Sequence, residues 1–429
     1  MWLKIPLGQV STISGGTGFP ETLQGNANGD YLFIKVSDMN SDDNRKYINS
    51  ANNYLSKSTA SSLGAKVFPK GTIVFAKVGA ALYLNKRRIT VKDTIIDNNM
   101  MGIKPHDDVD AEFLYQYLLS VDLGEFVQPG ALPSVNQSLV SSIGFPDILK
   151  PVQEKVGSIL LEADRCISKT QALIAKYENI KQGMMQDLFT RGVDENGQLR
   201  PSYEEAPHLY QETELGWIPK EWLMEELRHF VPKAEYGVSI SCDDSAENVP
   251  VLRMNNIFNG EFDVSDLKYA PEQELTGLFM KEKDVLFNRT NSWEHVGKTA
   301  IWKNQLEKAS FASYMVRLIP NKDLMVPEYL SYWLQLDDIQ TAIRRFATPG
   351  VQQVNINPTN LRRTLCSAPK DTSEQLTIVS RVQSIDEKIE KERQILAKLR
   401  SQKLGLMQDL LTGKVRVAED REERKEAVA

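Results

Sequence analysis

An 18-residue stretch occurs twice in this 429-residue chain, and that repeat constrains its folding more than any other feature. KYENIKQGMMQDLFTRGV starts at Lys176 and KLRSQKLGLMQDLLTGKV at Lys398, an offset of 222 (398 − 176). Nine of the 18 positions are identical, where average composition gives about one. Gly183 matches Gly405, and Met185-Gln186-Asp187-Leu188 matches Met407-Gln408-Asp409-Leu410. Asp164 and Asp386 keep the same offset. Upstream echoes are weaker. Pro129-Gly130 precedes Val135-Asn136 as Pro349-Gly350 precedes Val354-Asn355, and KGTIVFAK (Lys70 to Lys77) resembles EKDVLFNR (Glu282 to Arg289). The offsets shrink there, so the globular parts have diverged by insertions while the helical parts have not. A period this long is a domain duplication, not a solenoid.

The repeated stretches end long amphipathic segments. From Val152 the apolar or small positions step by four and three through Val156, Ile159, Ala163, Cys166, Thr170, Leu173, Tyr177, Ile180 and Met184. Such heptad spacing keeps one seam against a partner helix. The second copy runs Val382, Ile385, Ile389, Leu396, Leu399, Leu406 and Leu410, with Glu392 and Lys403 interrupting it. Thr372 and Gln375 have the spacing of a capping box at its start. Each helix is about 40 residues, hence roughly 60 Å. Two such helices in one chain are expected to pair antiparallel and hold the globular segments apart.

YLFIKVSDMN (31–40), GTIVFAKV (71–78), VPVLRMNNI (249–257) and DVLFNRT (284–290) read as strands or strand ends. FLYQYLLSV and YLSYWLQL read as short helices. The expected class is therefore mixed α/β (α+β) domains in two copies, separated by two long antiparallel coiled-coil helices. The expected order is a first domain at 1–150, a long helix at 151–190 and a surface connector at 191–220. A second domain at 221–370, a second helix at 371–415 and a charged tail at 416–429 follow.

Composition narrows the function. Lys+Arg 51 against Asp+Glu 57 gives a net charge of −6, which counts mildly against a simple nucleic-acid binder, although local patches make the electrostatic footprint. Cys166, Cys242 and Cys366 form no CxxC pair, so a reducing cytoplasm is expected. The opening MWLKIPLGQV lacks a signal peptide's apolar run. No stretch approaches the roughly 20 apolar residues of a membrane helix.

No catalytic motif emerges. VGKT near Lys298 has Ser292 where a phosphate loop needs glycine. GGTGFP (Gly15 to Pro20) lacks the GxGxxG spacing and reads as a turn. His106, His208, His229 and His295 have no metal-ligand spacing. PDILK at Pro146 is not followed by the acidic-x-Lys element of a nuclease and reads as a helix entry. The Asn-Pro-Pro-aromatic tetrapeptide of an amino-methyltransferase does not occur.

Basic and polar residues do recur beside the strand runs. In the first half they are Lys77, Lys86, Arg87 and Arg88, with Asn136 and Gln137 in PSVNQS. In the second they are Arg253, Asn288, Arg289, Asn291 and Trp293, followed by Arg344, Arg345, Gln352 and Gln353. Arg and Lys suit guanine edges and phosphates, and Asn and Gln suit adenine. Any one of these residues alone is as well explained by a solvated surface, so the recurrence in both halves carries the argument. Lys77 and Arg289 hold the same place in the two copies.

With these residues in view, the chain resembles the specificity subunits of type I restriction-modification enzymes. ISGGTGFP (Ile13 to Pro20), the connector ETELGWIPKEW (Glu212 to Trp222) and the paired GMMQDLFT and GLMQDLLT carry the resemblance. GTGFP departs from the Gly-Gly-Thr-Pro often found at that turn. The resemblance implies two target-recognition domains, each reading half of a bipartite site in double-stranded DNA, with the helices as a ruler between them. It further implies two methyltransferase subunits docked along the helices and two motor-nuclease subunits. S-adenosylmethionine, ATP and Mg would then belong to those partners, and this chain would bind no cofactor and perform no catalysis. The competing expectation is a non-catalytic interaction scaffold whose globular domains bind peptides.

Overall fold

Ile73-Val74-Phe75-Ala76 is an unbroken apolar run. An extended chain sends successive side chains to opposite faces, so such a strand needs cover on both. The computed structural model, which describes residues 1–127, 133–350 and 353–417, supplies it. Gln352, Pro129-Gly130 and most of the charged tail lie outside the described residues. In the first domain the principal strands are β1 (Ser11–Gly15), β2 (Tyr31–Ile34), β3 (Ile73–Ala76), β4 (Arg87–Thr90), β5 (Thr94–Ile96) and β6 (Met100–Pro105). Its central sheet runs β1-β6-β3-β4, with Tyr47–Ile48 at the edge. Ile73 and Phe75 face a cluster built on helix α1 (Ala111–Leu119), with Phe113, Leu114 and Leu118. Val74 faces the other way, onto Leu32, Ile34 and Ile96 of a smaller sheet in which β2 and β5 run parallel.

The second domain repeats this plan. Strands β7 (Lys233–Tyr236), β8 (Val249–Leu252), β9 (Val285–Asn288), β10 (Thr299–Ile301), β11 (Ser310–Phe311) and β12 (Met315–Ile319) precede helix α3 (Pro327–Trp333). The central order β7-β12-β9-β10 matches β1-β6-β3-β4, and β8 pairs parallel with β11. Val285 and Phe287 face Tyr329, Leu330 and Trp333, while Leu286 faces Leu252 and Phe311. After β1 and after β7 the chain presses against the parallel strand. A Cβ on Gly16 would lie 2.2 Å from the carbonyl oxygen of Asp97, and one on Gly237 2.3 Å from that of Phe311. Only glycine fits so close a backbone approach, which explains the glycine of the ISGG motif.

The two long helices are α2 (Lys150–Arg191) and α4 (Thr372–Leu410). The described residues divide into two compact units, one formed by Met1–Ala172 with 393–417, the other by Leu173–Glu392. Each unit thus contains half of each helix. In the first, Val156 and Leu160 share a cluster with Leu410 and Leu411, and Lys403 Nζ lies 2.5 Å from Asp164 Oδ1. In the second, Met185, Leu188 and Phe189 share a cluster with Ile378, Val379 and Val382, and Lys181 Nζ lies 2.7 Å from Asp386 Oδ1. In both, rising numbers on α2 meet falling numbers on α4, so the helices are antiparallel.

Packing corrects two details of the sequence reading and sharpens a third. The seam of α2 is turned in places: Ile159 and Ile180 are 37% and 44% exposed, whereas Leu160 and Ile174 are buried. Leu160 packs into the domain cluster, so the buried stripe follows the domain as well as the other helix. Gln375 does not close a capping box. Its amide accepts from Val326 N at 2.8 Å and donates to Leu324 and Pro369 carbonyls at 2.8 and 3.0 Å. Gln153, 222 residues earlier (375 − 153), likewise accepts from Asp110 N at 2.9 Å and donates to the Ile148 carbonyl at 2.9 Å. These buried glutamines bind loop backbone to each helix start. Residues 191–220, expected as a surface connector, are anchored by buried side chains, among them Val193, Arg200, Tyr210 and Ile218. Arg200 spans Glu374 and Glu221, with Nη2 to Glu221 Oε2 at 2.8 Å and to Glu374 Oε2 at 3.0 Å.

Candidate nucleic-acid interface

Strands β3 and β9 each end one residue before a cation. Lys77 N donates to Asn99 O at 2.9 Å and its carbonyl accepts from Val135 N at 3.0 Å. Arg289 N donates to Tyr314 O at 2.9 Å and its carbonyl accepts from Ile356 N at 2.8 Å. The two residues are thus equivalent in three dimensions as well as in sequence. The same bonds shift one expected match by two residues: Val135 corresponds to Ile356, not Val354, and Asn136 to Asn357. Both asparagines cap short helices, Asn136 Oδ1 accepting from Leu139 N at 2.9 Å and Asn357 Oδ1 from Thr359 N at 2.8 Å.

The surroundings of the two cations differ. Lys77 Nζ lies over Gly15, 3.0 Å from where a Cβ would stand. Gly15 faces Met101 across the sheet, as Tyr236 faces Val316, so Tyr236 takes the place of Gly15 in the second copy. The Arg289 guanidinium stands 5.1 Å from the centre of the Tyr236 ring. Its Nη2 donates to Asn355 Oδ1 at 3.0 Å and its Nη1 to the Ser313 carbonyl at 3.4 Å. Asn355 sits in the hairpin Ala347–Pro349/Val354–Ile356, whose outer strand carries Thr348. Thr290, Thr348, Gln353 and Asn355 line a cleft of 520 Å³ there.

The remaining sequence candidates separate into reachable and enclosed groups. Gln137, Arg345 and Gln353 are exposed, and Trp293 is 54% exposed. Arg344, the last residue of the helix Asp337–Arg344, is half-buried. Lys86 Nζ donates to Asn40 Oδ1 at 2.5 Å, and Asn291 Oδ1 accepts from Ser292 N at 2.8 Å. Arg253 Nη2 reaches Asp266 Oδ2 at 3.3 Å. Arg87 is 1% exposed and donates to Val121 O at 2.7 Å; burial lowers its pKa to about 10. Arg88 is held by Met39 O at 2.8 Å, and burial lowers its pKa too. Asn288 is fully buried, donating to His295 O at 3.3 Å. Arg87 and Asn288 face inward because they lie on central strands whose two sides are both covered, so the fold does not bring them to a surface.

Sequence reasoning missed Lys35. Its N–H donates to Asp38 Oδ2 at 2.8 Å, as that of Arg253 donates to Asn256 Oδ1 at 2.8 Å. Both follow the inner parallel strand of the smaller sheet, so Lys35 is the counterpart of Arg253. The signal was the shared strand-then-cation order in LFIK and PVLR. Among the described residues, no group of three or more His, Cys, Asp or Glu could hold a metal ion. No helix among them is long and apolar enough to cross a membrane.

Two mixed α/β domains, each followed by a long helix and each ending a central strand one residue before a partly exposed cation, define a duplicated two-module architecture. The chain belongs to the type I restriction modification DNA specificity domain family, whose model matches residues 1–179 and 219–401. A putative type I restriction enzyme MjaX specificity subunit of Methanocaldococcus jannaschii is 27% identical over 206 residues, 47% of this chain and 48% of that protein. The MjaVIII specificity subunit of the same organism is 26% identical over 294 residues, 67% of this chain and 65% of that protein. The matched stretch thus spans about half to two thirds of these relatives' length. The fold is similar to the crystal structure of a type I restriction-modification S subunit from M. genitalium, with a TM-score of 0.55 at 14% identity over 96% of both chains.

Proposed function

We propose that this chain is the DNA-reading subunit of a type I restriction-modification assembly in the cytoplasm. Each domain reads one half of a bipartite target, and the helices set the spacing and dock the partners. The observation that carries this reading is the pair Lys77 and Arg289. The backbone holds them by equivalent bonds, while the neighbours of their side chains differ, Gly15 at Lys77 and Tyr236 with Asn355 at Arg289. A shared frame with different contacts is what two readers of two different sequences require.

The partners would be two methyltransferase subunits and two motor-nuclease subunits, with S-adenosylmethionine, ATP and Mg bound by them. Gly183 and Gly405 support a docking role for the helices. Nothing lies within 4 Å of a Cβ placed at either. Glycine inside a helix costs about 0.5–1 kcal/mol relative to alanine, so its presence at both open positions is explained by close approach of a partner.

Co-expression with a cognate methyltransferase followed by methylome sequencing tests the reading. A bipartite methylated motif is the expected result. Absence of any motif, together with DNA retention indifferent to salt and sequence, would favour a peptide-binding scaffold. Inserting four residues into both helices should lengthen the unread spacer, since DNA rises about 3.4 Å per base pair, and leave both half-sites unchanged.

A further inference from the structure

We infer that Tyr236, Asn355 and Thr290 are positioning residues for Arg289, and that the guanidinium they hold reads a guanine in the second half-site. This rests on the DNA-reading function proposed above and adds to it the chemistry of one base position. The geometry forms a chain of orientation. Asn355 Nδ2 donates to Thr290 Oγ1 at 2.8 Å, which fixes the amide so that Oδ1, the acceptor, faces Arg289. Arg289 Nη2 donates to that oxygen at 3.0 Å. The Tyr236 ring covers the guanidinium at 5.1 Å. Hydrogen bonds and ring contact together limit rotation of a side chain that otherwise has many rotamers.

An arginine held in this way keeps donors to spare. It has five N–H groups. Nη1 and Nη2 each spend one, on Ser313 O and Asn355 Oδ1, which leaves one on each terminal nitrogen. Paired donors of an arginine match O6 and N7 of guanine, the commonest specific arginine contact in the major groove, and the terminal nitrogens retain one donor each for it. A phosphate can also take a bidentate arginine, but such a contact carries no sequence information, so position-specific relaxation in the test below separates the two. Tyr236 and the neighbouring Tyr314 are 48% and 46% exposed, and Arg289 between them is partly exposed. The first domain lacks this device: Gly15 stands in place of Tyr236, and Lys77 has no fork to orient.

The test is methylome sequencing of the full chain co-expressed with its methyltransferase partner, as wild type and as Arg289→Lys, Asn355→Ala, Tyr236→Ala and Tyr236→Phe. The wild type should show a guanine in the second half-site. The first three variants should relax one and the same position of that half-site, discrimination there falling about tenfold. Tyr236→Phe, which keeps the ring, should read like the wild type. The first half-site is an internal control for folding and assembly and should stay unchanged throughout. A second half-site without a G·C pair overturns the inference, as does equal weakening at all its positions or relaxation at different positions in the different variants. Arg289→Lys keeps the charge and most of the packing, so complete loss of second-half recognition in that variant also overturns it. Absence of any bipartite motif in the wild type would instead remove the underlying DNA-reading proposal.

Discussion

Lys403 on the second long helix reaches Asp164 on the first at 2.5 Å. Lys181 and Asp386 repeat the contact with the roles of the helices exchanged, at 2.7 Å. The offset of 222 relates the pairs, since 386 − 164 and 403 − 181 both equal 222. Each aspartate is also held by its own domain, Asp164 Oδ2 accepting from Gln116 Nε2 at 2.6 Å and Asp386 Oδ2 from the Tyr332 hydroxyl at 2.7 Å. One carboxylate therefore joins both helices and a domain. Lys403→Asp should destabilise the chain, and Asp164→Lys placed with it should recover part of the loss. A double-mutant cycle by urea unfolding should give a coupling of about 1–2 kcal/mol. A coupling near zero would show that the pair is an incidental surface contact.

Two glycines mark the helix ends. Gly192, at φ +65°, has the Trp222 ring 2.6 Å from a virtual Cβ, and Gly413, at φ +74°, has the Trp2 ring at 2.5 Å. Alanine at either site meets an unfavourable backbone region, costing about 1–2 kcal/mol, as well as the indole. Gly192→Ala and Gly413→Ala should each lower the melting temperature. Gly405→Ala, with nothing near its Cβ, should leave it unchanged or raise it, yet weaken pull-down of a methyltransferase partner.

A third expectation concerns acid. Glu235 lies opposite Arg317 in the central sheet of the second domain. Hydrogen bonds from Lys233, first, and Arg317 hold its pKa below the usual glutamate value. A carboxylate with a depressed folded pKa contributes stability that is present above its unfolded pKa and lost as pH falls through the folded one. Glu235→Gln should therefore cost about 1.5–3 kcal/mol at neutral pH. That gap should close as pH is lowered below the folded pKa, as read from chemical denaturation at several pH values. A pH-independent gap would mean that packing, not charge, holds the strand pair.

The connector offers a fourth. Arg200 is 6% exposed and bonded to Glu374 and Glu221. Arg200→Met removes the charge and leaves the partly buried Glu374 carboxylate without its main partner, a change that costs several kcal/mol when a buried pair is broken. Arg200→Met with Glu374→Gln should be less destabilised than Arg200→Met alone. Equal melting temperatures for the two would remove the charge argument.

The features legible in sequence were those with a period. The 222-residue repeat gave the duplication, heptads gave the long helices, and the apolar runs gave the central strands. The equivalence of Lys77 and Arg289 was visible because KGTIVFAK and EKDVLFNR align without gaps. What stayed hidden depends on contact between distant residues. Lys403 looked like a flaw in an apolar seam because its partner, Asp164, lies 239 residues away. Arg87 and Asn288 looked like surface polar residues because an inward position on a strand covered on both faces cannot be told from local composition. Asn355 was seen only as part of a polar loop, since its role arises from Thr290 and Arg289 across the hairpin.

Trp2 donates from Nε1 to the Leu410 carbonyl at 2.9 Å, and residues 393–417 belong to the same compact unit as Met1–Ala172. Position along the sequence is therefore a poor guide to which domain an alteration will affect. A lesion in residues 393–417 follows the second domain in the gene, but it should be felt by the first.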